Sequence, residues 1–181
     1  MVMRKQKKRL QRYSLFGVIG LSIIGLVALA NYEYLQRQAA RIPTPIRTEL
    51  TFSPFVLPLG ADEYKATDYR LAQPEENIQL MSYIISSKNT RVTVSQYVQP
   101  PQFTDIPEYK DRFLSSIVKQ YGTVPTANGT IYLGRQEKRN NKQLAIMIER
   151  GLIVLMNPDK DLTDQQWRSI GEMLEIQKIN N

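Results

Sequence analysis

The chain has no cysteine and no histidine among its 181 residues. Those two absences exclude disulfides, thiolate nucleophiles, histidine general bases, the Ser-His-Asp triad and the commonest zinc ligands together. Any chemistry would have to rest on carboxylates, lysine, tyrosine or serine. Without cysteine there is no lipid-modified anchor and no covalent staple, so a domain outside the cytoplasm must be held by its core. Excess charge is also scarce over most of the chain. The net charge is +7, from 24 Lys/Arg against 17 Asp/Glu, but residues 1–41 carry eight of those cations and only one acid, Glu33. The remainder holds sixteen of each and is neutral. Nucleic-acid binding is therefore not expected, since such domains carry their Lys/Arg excess in the binding module itself.

What is present first is one long uncharged run, Ser14 to Ala30, preceded by Arg4, Lys5, Lys7, Lys8, Arg9 and Arg12. A run of roughly 17 to 25 such residues can cross a hydrocarbon core as a helix that satisfies its own backbone. The cationic flank places residues 1–13 in the cytoplasm as a basic tail. Residues 14–32 are then a single-pass transmembrane signal anchor, with Tyr13, Tyr32 and Tyr34 at its edges. The alternative is a cleaved signal peptide, for which Ala28-Leu29-Ala30 has the small-x-small form. Both readings export the C-terminal remainder of the chain. Residues 33–45 are expected to form a helical and proline-rich linker in which Pro43 and Pro45 impose extended backbone. Residues 46–181 form one extracytoplasmic domain of ordinary size.

The pattern in that domain predicts an α+β fold, a mainly antiparallel sheet of about six to seven strands with two packed helices. Residues 47–57 are expected as an edge strand or a strand plus loop, limited by Pro54 and Pro58. A short strand at 64–71 precedes strands at 78–86 and 91–98, joined through Ser87-Lys88-Asn89. In the second of these, Val92, Val94 and Val98 share one face and Arg91, Thr93, Ser95 and Tyr97 the other. A helix is expected over 107–121, burying Phe113, Leu114, Ile117, Val118 and Tyr121 and stopped by Gly122. Strand returns over 124–134, with Asn128-Gly129 as a turn signal. Residues 143–148 and 152–156 form a hairpin turned at Glu149-Arg150-Gly151, apolar at successive positions and so covered on both faces. Thr163 and Gln166 write a capping box for a last helix that turns Trp167, Ile170, Met173 and Leu174 inward, with Leu162 stapling to Trp167.

Residues 55–60 (FVLPLG), 128–132 (NGTIY) and 162–167 (LTDQQW), in that order of elements, resemble the PsbP/Mog1-like domains. The extracytoplasmic domains of the LolA/RseB kind, built on a larger curved half-barrel, are the second resemblance. Both imply a largely non-enzymatic role, and a fold by itself does not assign one.

Several groups are candidate sites. Asp159, Asp161 and Asp164 are clustered oxygens of the kind calcium takes, but they lack the glycine and terminal glutamate of a calcium loop, and helix N-terminal acids are expected to suit the dipole. Glu75-Glu76 reads as a solvated turn, not half of a hydrolytic acid pair. Tyr64, Tyr69, Tyr83, Tyr97 and Tyr132 are ordinary half-buried strand residues or else a ligand-lining face. Asn128-Gly129-Thr130 is formally a glycosylation sequon and more simply a turn. Residues 138–142 read as a charged hairpin tip. The expectation is thus no catalytic, cofactor or metal residues and no enzyme. A membrane-anchored interaction or assembly module of the bacterial cell envelope, with an envelope protein as partner, is expected first. A carrier of a lipid or small apolar ligand in a sheet-helix cavity comes second, and a carboxylate-dependent envelope hydrolase third.

Overall fold

In a computed structural model, residues 42–58, 61, 63–137 and 140–179 are described. The anchor and basic tail expected at 1–32, and most of the linker, lie outside them. Among the described residues no helix is long and apolar enough to cross a membrane.

Seven strands form one antiparallel sheet in the order β2-β3-β4-β8-β7-β6-β5. They are β2 (Lys65–Glu75), β3 (Ile78–Ser86), β4 (Arg91–Val98), β5 (Lys119–Thr126), β6 (Gly129–Gln136), β7 (Lys142–Glu149) and β8 (Leu152–Pro158). A separate two-stranded ribbon pairs β1 (Phe55–Val56) with β9 (Glu175–Ile176). The helices are α1 (Thr44–Glu49), α2 (Gln102–Asp105), α3 (Tyr109–Ile117) and α4 (Asp164–Met173). The sheet-rich α+β architecture is therefore as expected, with more helices than the two foreseen.

Directly opposed residues in a ladder point to the same side of the sheet, so the register sorts the two faces. On the first face, one row runs Met81, Gln96, Val154, Met147, Ile131, Val124 across the strands. Beside it runs Tyr83, Val94, Met156, Ala145, Leu133. These residues join Ile42, Leu50, Phe55, Leu162, Trp167, Ile170 and Leu174 in the main core. On the second face Leu144, Ile146, Ile148 and Ile153 pack against Phe103, Phe113, Leu114 and Val118 of the α2–α3 segment. Strands β7 and β8 are covered on both sides, as their unbroken apolar runs imply.

Three local expectations change. The extended backbone expected at both prolines holds only at Pro43, the N-cap of α1 with φ −52° and ψ 137°, whereas Pro45 falls within the first helical turn, where a missing N–H costs no hydrogen bond. Ile42, just before it, is wholly buried. The strand expected over 47–57 reduces to β1. The helix expected over 107–121 is α3 alone, Tyr109–Ile117, capped at Val118, whose backbone is extended, and the short α2 precedes it outside the expected range. Gly122 is no helix stop: it sits inside β5 at a register shift, and Tyr121 is a half-exposed strand residue. Pairing seven residues of β5 with β6 satisfies more backbone than one further helical turn could, so the tertiary ladder wins over helical periodicity.

Candidate interaction surface

The irregular segments on the first face are held by three glutamines. Gln96 Oε1 accepts from the Phe55 amide and its Nε2 donates to the Phe55 carbonyl, both at 2.8 Å. Gln143 does the same for Leu162, and its Oε1 also accepts from the Trp167 indole at 3.1 Å. Gln79 accepts from the Thr51 amide and hydroxyl and donates to the Glu49 carbonyl. Each primary amide imitates the donor and acceptor pair of a neighbouring strand, supplying partners on the side where no strand lies alongside. Gln96 is in phase with Val92 and Val94, whereas Val98, expected inward with them, is 52% exposed at the strand end. Sequence reading missed all three glutamines; the one signal was a polar residue in phase with buried valines.

Packing against the sheet is close at one glycine on each face. A Cβ placed on Gly171 of α4 would lie 2.7 Å from Thr126 Cγ2 and 2.8 Å from Ile131 Cδ1. On the opposite face, a Cβ on Gly134 would lie 2.5 Å from Val118 Cβ. Neither helical layer leaves room for a methyl group at these contacts.

The candidate site residues are dispersed. Asp159 accepts from the Arg91 and Lys160 amides, Asp161 pairs with Arg135, and Asp164 lies in the first turn of α4 behind the expected capping box of Thr163 and Gln166. The Asp161 hydrogen bond raises the Arg135 pKa, which keeps the guanidinium charged. No three His, Cys, Asp or Glu side chains gather as metal ligands among the described residues. Glu75 ends β2, and the Glu76 carbonyl accepts from Gln73.

The five tyrosines are divided between the faces. Tyr69 and Tyr83 stack on the first face with ring centroids 5.1 Å apart, and Tyr64 joins the same core. Tyr97 and Tyr132 pack on the second. The Tyr83 hydroxyl donates to the Phe55 carbonyl, and burial, with Tyr69 close by, holds its pKa well above the usual tyrosine value. Burial also raises Tyr97, with Tyr109 adding to the shift. Burial and then Glu63 raise Tyr64, against a hydrogen bond with Ser169. Asn128 is in the turn before β6, and its Nδ2 donates to the carbonyls of Gly171 and Leu174, ending α4. A glycan would occupy that nitrogen, so the turn reading fits and the sequon does not.

What remains open is half of the second face. One row crosses the whole sheet as Arg70, Ser82, Ser95, Leu155, Ile146, Tyr132 and Thr123. Its apolar part lies over β6–β8, beneath α2 and α3. Its polar part lies over β2–β4 and has no helix above it among the described residues. Parallel rows there are Lys65, Ser86, Arg91 and Thr67, Ile84, Thr93, Asn157. By strand alternation, Ile78, Leu80 and Ile84 point to this side along the middle strand β3. Ile78 is exposed, and the other two are half-buried. Lys65, Arg70 and Arg91 flank them; among the described residues only Arg91 of the three is in an ion pair, 3.6 Å from Asp68. At one margin lies an open polar hollow of about 590 Å³ lined by Arg91, Thr93, Asn157 and Lys142. A second groove, of about 850 Å³, is lined by Glu63, Tyr64, Lys65, Lys88, Thr90 and Gln166. Both are open hollows lined mostly by polar residues but presenting as much apolar as polar atom surface, and neither is enclosed.

Comparison with protein-family models, with curated proteins and with solved structures returned no match.

Proposed function

We propose that this chain is a non-enzymatic interaction module of the bacterial cell envelope. In this reading residues 14–32 anchor it as a single-pass protein, the N-terminus is cytoplasmic and the domain extracytoplasmic. A protein partner binds the open half of the second sheet face. The observation that carries the reading is the contrast between close sheet-helix packing at Gly171 and Gly134 and a sheet face open over three strands. The close contacts at Gly171 and Gly134 favour it over the carrier reading, which needs a void between sheet and helix. The separate tasks of Asp159, Asp161 and Asp164 favour it over a hydrolase that needs converging acids.

The test places a photo-crosslinking residue at Ser82, on the open half, or at Glu172, on the exposed side of α4, in the full chain in intact cells. The expected result is a discrete crosslinked protein from position 82 and none from position 172, together with cleavage of the domain by external protease. Equal crosslinking from both positions would overturn the surface assignment. Cleavage of the domain only after lysis would overturn the topology.

A further inference from the structure

The open half-face is a floor beside a wall. The floor is β2, β3 and β4; the wall is the edge of the α2–α3 layer, about one helix diameter high, or roughly 10 Å. At the foot of that wall lie Tyr97 and Leu155, half-buried against the second core. The apolar stripe Ile78, Leu80 and Ile84 runs along the middle strand of the floor and covers about six residue steps, roughly 20 Å. A helix of about thirteen residues has the same length. The second helical layer is thus half built, and the vacant half has the width of one more helix.

The charges around the stripe define what would lie there. Lys65 and Arg70 project from β2 on one side, and Arg91 from β4 on the other. No carboxylate among the described residues pairs with Lys65 or Arg70. Opposing acids on this side are Asp68, held by Arg91, Asp159, engaged by two backbone amides, and Glu75, which faces Ile78 at the far end of the stripe from Lys65 and Arg91. The floor between is mainly short hydroxyls, Thr67, Ser82, Ser86, Thr93 and Ser95, which let a cylinder approach closely. An all-apolar helix would leave the hydroxyls and cations unpaired, and a basic one would be repelled.

Resting on the reading of this half-face as the contact surface, we propose that its occupant is an acidic amphipathic helix of a partner protein. The helix lies along β3 with its apolar stripe at i, i+4, i+7, i+11 and i+14, the first two over Ile78 and Leu80 and the last, about 20 Å on, over Ile84. Its flanking carboxylates meet Lys65, Arg70 and Arg91. This is helix-in-groove recognition, in which the stripe supplies contact area and the cations set partner choice.

The test uses the full chain in phosphatidylcholine nanodiscs and a designed probe helix of about fifteen residues, leucine at the seam and glutamate on both flanks. Methyl NMR of Ile78, Leu80 and Ile84 reports binding. The expected result is saturable shifts at these methyls, at least about tenfold weaker affinity for Arg70→Glu and Lys65→Glu combined, and recovery when the probe's glutamates become lysines. Equal binding of a scrambled probe, or shifts confined to other residues, would overturn the proposal. So would the same shifts on adding phosphatidylglycerol without probe, which would assign the surface to lipid. If the probe fails while crosslinking from Ser82 still captures a protein, the partner is of another class and the module reading stands. If both fail, both are wrong.

Discussion

The two halves of the second sheet face share one continuous row of residues, yet one half is core and the other surface. Over β8, β7 and β6 the row reads Leu155, Ile146, Tyr132; over β4, β3 and β2 it reads Ser95, Ser82, Arg70. The change falls between the adjacent strands β4 and β8, with no break in hydrogen bonding. A helix covers a sheet only where apolar area repays the ordering of its chain, at about 25 cal/mol for each Å² removed from water. The hydroxyl-bearing half offers too little, so α2 and α3 stay where the isoleucines are. The first face shows the other solution: it is covered partly by chain with no regular structure, because glutamines bind that chain's backbone directly.

The sharpest way to break the contrast is to remove its apolar side. Ile146→Ala should destabilise the domain by about 2–5 kcal/mol, as for other buried large-to-small changes, measured by urea unfolding. A loss below about 1 kcal/mol would show that the covered half is no true core. Next in size, Gln96→Ala should cost about 2 kcal/mol or more, since it leaves the Phe55 amide without its partner in a dry environment. Hydrogen exchange at Phe55 should rise in the same variant, which simple cavity formation elsewhere would not produce. Smallest is Ser82→Ala on the open half, expected within about 0.5 kcal/mol of the parent in the same unfolding assay. A large loss there would mean that the open half bears stability of its own.

Much of the architecture was readable from pattern. The β3–β4 and β7–β8 hairpins, the turn at Asn128-Gly129 and the capping box of α4 all rest on local chemistry that operates wherever those residues stand. The turn of the last hairpin, Arg150 and Gly151 with φ of 51° and 76°, is the doubly left-handed kind that suits a two-residue connection. The misread segments are those where distant partners overrode local preference. Residues 119–121 fall at the end of the expected helix, but Lys119 and Gln120 pair with β6 around a bulge at Tyr121; residues 47–55 have strand-like composition, but Gln79 holds Glu49 and Thr51 and Gln96 holds Phe55. Neither partner is visible from within the segment. At the candidate surface, sequence pattern marked Arg91, Thr93, Ser95 and Tyr97 as one side of a strand. It could not show that Tyr97 would lie at the foot of the helical layer and the other three beyond its edge.

The sequence alone determined the neutrality of residues 42–181, the absence of thiol and imidazole chemistry, and which strands are apolar on both sides, because those are properties of composition and period. Tertiary structure decided which polar residues become internal connectors and which half of a face stays open. Both depend on what lies opposite a residue across the sheet, and one-dimensional order does not specify that neighbour.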